Sequence, residues 1–187
     1  MTTYRNIHGR SIRAVATDPT AEVSEGEIWY NTGSDTFKSI LSVEAWSSGG
    51  ALATARSNLA GAGIQTAALA FGGQTPTLSS ATEEYGGSGW TSGGDLATAR
   101  YKLAGAGTQT AGLAIGGGVP PSNTASGLTE EYGGTSWTTG GALSTARKEL
   151  AGCGTQTAGL AFGGRTTTLT NATEEYDGSS WTAGGNL

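Results

Sequence analysis

The side chains of this 187-residue chain best suited to chemistry are three carboxylate pairs and three arginines. Glu83-Glu84, Glu130-Glu131 and Glu174-Glu175 each precede a tyrosine (Tyr85, Tyr132, Tyr176), and Arg56, Arg100 and Arg147 each close a Thr-Ala-Arg triplet. Clustered carboxylates can hold calcium or act as an acid and base pair, and the arginines could line a binding face. Adjacent residues of an extended strand point to opposite faces, however, so the two glutamates of a pair cannot converge on one ion. The pattern therefore reads as structural: one glutamate of each pair near a Thr-Ala-Arg arginine, and the arginines hydrogen-bonding between repeated units. Other reactive groups are scarce. Cys153 is the one cysteine, so neither an intrachain disulfide nor a thiolate metal cluster can form; it stands where two sister stretches have Ala62 and Ala106, and reads as a packing residue. His8 is the one histidine, which takes most zinc, copper and iron sites and His-based triads out of the repeat region; it reads as a surface or interface residue. Gly116-Gly117-Gly118-Val119-Pro120 lacks the Lys-Ser/Thr and the helix start of a phosphate loop. No catalytic residue, cofactor or metal is expected.

The elements that position these residues follow from composition and periodicity. The chain has 33 glycines and 13% charged residues. Glycine inside a helix costs about 1 kcal/mol relative to alanine, so a helical bundle is disfavoured. The glycines come in pairs and not at every third position, which excludes collagen. Ten basic against fifteen acidic residues leave no electrostatic footprint for nucleic acid. The N-terminus has no apolar signal-peptide core, and no run of 18 apolar residues occurs, so no membrane insertion is expected.

Self-similarity is the strongest signal. Leu59 through Gly73 aligns with Leu103 through Gly117 and Leu150 through Gly164, and each stretch is followed by the Glu-Glu-Tyr triplet and a tryptophan. Trp46, Trp90, Trp137 and Trp181 are spaced by 44, 47 and 44 residues, the extra three falling between Gly117 and Glu130. Each Thr-Ala-Arg arginine stands ten residues after a tryptophan and sixteen before a double glycine. Within a unit, Ala111-Gly112-Leu113-Ala114-Ile115 alternates as a strand does. Tyr176-Asp177-Gly178-Ser179-Ser180-Trp181 and Tyr85-Gly86-Gly87-Ser88-Gly89-Trp90 read as tight hairpins. Four strands per period are predicted, in the first unit near 58–63, 67–71, 81–85 and 89–91. Such a unit cannot bury its own faces and must stack on copies of itself.

A double glycine, then tyrosine, tryptophan and arginine at fixed spacing resembles the kelch repeat. The resemblance implies an all-β fold of kelch-like β-propeller blades, four-stranded antiparallel sheets, over 46–187. Three blades are expected, at about 58–91, 102–138 and 149–182. Three is fewer than the 4–8 of a closed ring. The chain is therefore expected to be part of a longer polypeptide whose 38–46 strand helps close the ring, or else several chains pool their blades. Residues 1–45 are expected to form a separate segment with a strand, turn, strand over 25–38. Its Ile28-Trp29-Tyr30-Asn31-Thr32 run and Phe37-Lys38 are similar to segments near the N-termini of bacteriophage tail-fibre and other virion appendage proteins. That resemblance implies attachment to other virion proteins through this segment, with Trp29, Tyr30 and Phe37 carrying it, symmetric homo-oligomers, and a place on the phage particle.

Where the units differ, the scaffold demands nothing particular. Three such loops, 74–80, 118–127 and 165–170, join the second and third strands and are expected on one rim, where loops commonly carry recognition. Gln74, Thr75, Thr77, Pro120, Ser122, Asn123, Thr124, Arg165, Thr166 and Thr167 are the candidate contacts to a host-surface glycan or protein. A second variable set, Ser57-Asn58, Tyr101-Lys102 and Lys148-Glu149, indicates only solvent exposure. The sequence reads as a non-enzymatic virion structural protein. The alternative is an intracellular kelch-type adaptor. A propeller enzyme of the galactose-oxidase or sialidase kind would need a His, Tyr and Cys set or an arginine triad that these residues do not assemble.

Overall fold

Small residues alternating with Leu, Phe and Ile, punctuated by paired glycines, favour short extended segments joined by tight turns. The computed structural model describes residues 5–7, 10–11, 13–18, 28–39 and 48–187, and every regular element among them is a β-strand. The chain divides into two compact units, Met1–Ser48 and Gly49–Leu187.

In the first unit, β1 (Arg5–Ile7) pairs with β2 (Arg10–Ser11). A three-stranded sheet runs β3 (Arg13–Val15), β4 (Ile28–Asn31), β5 (Thr36–Ser39), parallel between β3 and β4 and antiparallel between β4 and β5. The Asn31 carboxamide shapes the hairpin by accepting from the backbone N–H of Gly33 (2.9 Å) and Ser34 (3.0 Å), as turn-forming asparagines do. Alternation along β4 buries Trp29 and Asn31 and turns Ile28 outward. The strand expected over 38–46 falls outside the described residues beyond Ser39, as do Trp46 and His8.

The second unit holds three four-stranded antiparallel sheets in the same order, each a meander. The first blade is β6 (Ala60–Ile64), β7 (Ala67–Phe71), β8 (Thr82–Tyr85), β9 (Trp90–Ser92). The second is β10 (Ala104–Gly107), β11 (Gly112–Ile115), β14 (Thr129–Tyr132), β15 (Trp137–Thr139), with a small hairpin of β12 (Gly118–Val119) and β13 (Thr124–Ala125) in its long loop. The third is β16 (Ala151–Thr155), β17 (Ala158–Phe162), β18 (Thr173–Tyr176), β19 (Trp181–Ala183). The first-blade strands begin and end within two residues of the positions predicted. The three extra residues of the second period are absorbed by the β12-β13 hairpin.

Period-two alternation gives each blade two apolar faces, and adjacent blades bury them against one another. Ala60, Leu69 and Phe71 of the first blade pack on Leu103, Ala114, Tyr132 and Trp137 of the second. Ala104, Ala106, Leu113 and Ile115 of the second pack in the same way on Leu150, Ala161, Tyr176 and Trp181 of the third. Tyr132 and Trp137 pair across the second hairpin at 4.9 Å, and Phe71 meets the same indole at 4.9 Å from the neighbouring blade. Burying each such side chain contributes about 1.5–3 kcal/mol. Glycine permits the closeness: a Cβ on Gly105 would stand 2.4 Å from the carbonyl oxygen of Gly61 in the blade before it.

Candidate functional site

Each Thr-Ala-Arg segment that lies between two blades, those of Arg100 and Arg147, is a stitch between them. Its backbone bonds to the blade before it: Gly73 N–H donates to Arg100 O (2.8 Å), and Leu96 and Arg100 N–H donate to Ser80 O (2.9 Å) and Ser79 O (3.3 Å). Its arginine reaches into the blade after it. Arg100 Nη1 donates to Gly116 O (2.8 Å) and Leu128 O (2.7 Å), and Nη2 to Glu130 Oε1 (3.0 Å), while Glu130 Oε2 accepts Ala97 N–H at 2.7 Å. Arg56 with Gly72, Ala81 and Glu83, and Arg147 with Gly163, Ala172 and Glu174, repeat the arrangement. The sixteen-residue offset read from the sequence is thus the first of these bonds. All three arginine side chains are fully buried. Burial pushes the Arg100 pKa down, and the Glu130 carboxylate opposes that shift. One glutamate of each pair is consumed in this way, as its strand position implies.

In the first two pairs the second glutamate binds a neighbour, while Glu175 of the third is exposed. Tyr132 Oη donates to Glu84 and Tyr176 Oη to Glu131, each bond crossing a blade junction. Burial, then the carboxylate bond, raises both phenols to about 12. Trp137 Nε1 donates to Thr82 Oγ1 and Trp181 Nε1 to Thr129 Oγ1, both at 2.9 Å. Gln109 Nε2 donates to Ala68 O (3.2 Å) and Tyr85 O (2.7 Å), and Gln156 repeats this on Gly112 and Tyr132. Sequence reading missed the glutamines and threonines, although Gln65, Gln109 and Gln156 recur at one repeat position.

What the scaffold leaves over lies at the edge shared by the Thr-Ala-Arg segments and the loops between second and third strands. There Ser122, Asn123 and Thr124 come together with Arg165, Thr166 and Thr167 around a cleft of about 790 Å³, floored by Ser144–Ala146 and Lys148. Lys148 Nζ donates to Asn123 O at 2.6 Å, tying one loop to the other side of the cleft. Arg165 lies 3.8 Å from Glu149, which also holds Lys102, and the Lys102 bond holds the Glu149 carboxyl below its usual range. Gln74, Thr75, Thr77 and Pro120 do not line this cleft. The first residue of each loop is instead tied to the segment after the arginine, in the pairs Ser57 with Gln74, Tyr101 with Gly118 and Lys148 with Arg165.

The second variable set requires correction, because it is not simply exposed. Tyr101 is buried, packed over Gly118. Asn58, Lys102 and Glu149 adopt left-handed φ of 54°, 52° and 57° and form a ladder in which Lys102 N–H donates to Asn58 O and Glu149 N–H to Lys102 O, both at 2.8 Å. Cys153 also departs from its expected packing role: Ala106 is buried at the equivalent place, but Cys153 is exposed on the outward face of the third blade.

In the first unit, Asp18 accepts from Trp29 Nε1 (3.2 Å), Asn31 Nδ2 (2.6 Å) and Lys38 Nζ (2.6 Å). These bonds, the Lys38 one foremost, pull its carboxyl down to about 2. Trp29 is therefore an internal residue. Tyr30 and Phe37 pair at 5.0 Å between ring centres, and Phe37 and Ile28 are each more than half exposed.

No family model matches the chain, and no curated protein matches its sequence.

Proposed function

We propose that the three blades are a kelch-like recognition platform of a bacteriophage virion appendage, and that the cleft between the 118–127 and 165–170 loops takes a host-surface glycan. The observation that carries the reading is the convergence of those two loops, which differ most among otherwise near-identical units, on one cleft. The repeated Arg, Tyr and Trp side chains of the blades, and their glutamates except Glu175, are occupied within and between blades, so recognition falls to residues the scaffold does not need. The cleft presents hydroxyls of Ser122, Thr124, Ser144, Thr145, Thr166 and Thr167 with two cations, Lys148 and Arg165. Such a lining suits a hydroxylated, anionic sugar, for which short polar side chains supply orientation and arginine pairs with carboxylate. Residues 1–45 serve as the attachment segment to other virion proteins, and the exposed Ile28 and Phe37 supply an apolar surface for it. The virion assignment rests on the resemblance of the Ile28–Lys38 segment.

The test is competition of the full chain with phage for adsorption to host cells, before and after the cells are treated with periodate or with protease. Competition that periodate abolishes is the expected result. Loss only after protease treatment replaces the glycan by a protein receptor. The absence of competition, together with absence of the chain from purified particles, overturns the proposal in favour of the intracellular adaptor.

A further inference from the structure

The two cations of the cleft are not equivalent. Lys148 is committed, its Nζ donating to Asn123 O at 2.6 Å. Arg165 is fixed through its backbone, which exchanges hydrogen bonds of 2.9 and 3.0 Å with that of Lys148, but its guanidinium has little to hold. Among the described residues, Nη2 reaches only Thr167 O at 3.4 Å, and Nη1 stands 3.8 Å from Glu149 Oε2, beyond the about 2.7–2.9 Å of a charge-assisted bond. Glu149 is drawn the other way. Its Oε1 accepts from Lys102 Nζ, and the Lys102 ammonium lies 5.6 Å over the centre of the Tyr101 ring. The main chain imposes this placement: Lys102 and Glu149 both take left-handed φ, 52° and 57°, and Glu149 N–H donates to Lys102 O at 2.8 Å, which sets the two side by side. Left-handed backbone is strained at residues other than glycine, and such strain gathers at functional sites. The preceding junction shows that the blades pair without these charges. There Tyr101 stands in the place of Lys148 and Gly118 in that of Arg165, and the Tyr101 ring lies against Gly118, where a Cβ would come within 2.6 Å of Cε1.

We propose that Arg165 is the group that reads a carboxylate on the ligand, and that Lys102, which does not line the cleft, keeps it available by holding its counter-ion Glu149 away. The inference rests on the cleft being the ligand site, and it narrows the ligand to a sugar acid. A guanidinium presents a planar fork that matches the two oxygens of a carboxylate, and an ammonium does not. Glu149 is the built-in competitor for that fork. With Lys102 in place it is shared, and Arg165 faces it only at a distance. Without Lys102, Glu149 closes on Arg165 and takes the ligand's place. Lys102 and Glu149 are thus positioning residues, and Arg165 is the one that touches the ligand. Their side chains are 30%, 34% and 43% exposed, so the ion pairs among them contribute little to the stability of the fold and can be exchanged without losing it.

Titration of the full chain with D-glucuronate, and with D-glucose as its uncharged counterpart, tests it, followed by the NMR signals of Arg165 Nε–Hε and of the Thr166 and Thr167 amides. The expected result is a saturable shift with glucuronate and none with glucose. Arg165→Lys, which keeps the charge and loses the fork, should weaken binding about tenfold. Lys102→Met should weaken it about two- to fivefold, and Glu149→Gln should strengthen it by a similar factor, as for exposed ion pairs. In the Glu149→Gln background Lys102→Met should change nothing, whereas a direct long-range pull of Lys102 on the anion would survive there. The absence of a saturable glucuronate shift, undiminished binding by Arg165→Lys, or a Lys102→Met loss that persists alongside Glu149→Gln overturns the proposal. Competition for phage adsorption keeps it apart from the host-recognition reading. Glucuronate binding with the expected variant effects, by a chain that does not compete, supports the charge arrangement and removes host recognition; competition that none of the three substitutions alters overturns the charge arrangement and keeps host recognition.

Discussion

Replacing Arg100 by methionine tests whether the repeated arginines hold the blades together or face a ligand. The side chain is fully buried and donates to two carbonyls and to Glu130, whose carboxylate is itself 4% exposed. Methionine fills much of the volume but leaves Gly116 O unpaired, Leu128 O with the Gly116 N–H alone and the Glu130 charge supported by Ala97 N–H alone. Breaking a buried pair from one side costs about 3–5 kcal/mol, because the surviving charge stays desolvated. Against a domain stability of roughly 5–15 kcal/mol this is measurable without abolishing the fold. At roughly 2–4 °C per kcal/mol for a chain of this size, it lowers Tm by roughly 6–20 °C. Urea unfolding followed by tryptophan fluorescence gives the free energy directly, since Trp137 lies in the core packed between the first two blades. Adding Glu130→Met to Arg100→Met should cost less than the sum of the two single changes, with a coupling of up to about 3 kcal/mol, because the orphaned charge is gone. A loss below about 1 kcal/mol for Arg100→Met, in the range of ordinary surface changes, or strict additivity in the double variant, would refute the reasoning.

Tyr132 and Tyr176 titrate at about 12 in the folded protein against 10.0 for a free phenol, so the unfolded chain releases their protons first. Their contribution to stability is whole below pH 10 and is lost as pH rises from 10 through 12; phenolate absorbance should show part of the tyrosine signal rising late and together with unfolding, and a titration completed near 10 with the fold intact would contradict this. Gly105→Ala forces a methyl to 2.4 Å from Gly61 O and 2.9 Å from the Phe71 ring, whereas a methyl on Gly86 meets nothing within 4 Å. The first should destabilise by about 1–3 kcal/mol or more and the second stay within about 0.5 kcal/mol, and equal losses in urea unfolding would sink the close-approach argument.

Much of the scaffold was legible in the primary structure because it is local or periodic. The alternation in Ala111–Ile115, the Asp177-Gly178 turn and the recurring Arg, Glu, Tyr and Trp each express preferences that a few neighbouring residues set. Opposed side chains on a strand were enough to separate Glu83 from Glu84 and to place one glutamate of each pair near a Thr-Ala-Arg arginine; that it is Glu83, and that its arginine is Arg56, only the structure shows. The cleft was half legible: Ser122–Thr124 and Arg165–Thr167 meet, but Gln74, Thr75, Thr77 and Pro120 stand apart from it. Variation among repeats marks what the scaffold tolerates, not which tolerated residues become neighbours. Tyr101 and the left-handed Lys102 and Glu149 were not legible, since neither lysine nor glutamate signals positive φ.

The sequence by itself determined the period, the four strands of each blade, their turns and the residue pairs that recur at constant offsets. Local backbone preference and side-chain alternation are the same in every copy. Tertiary structure decided what those copies could not express alone. The Arg100 and Arg147 segments bond backward through their main chains and forward through their side chains. Equivalent residues diverge in fate, with Ala106 buried and Cys153 exposed, and Glu131 bonded to a tyrosine while Glu175 is bare. The physical reason is that burial and hydrogen-bond pairing belong to the junction between two blades, and a residue's own repeat does not say which neighbour it will have.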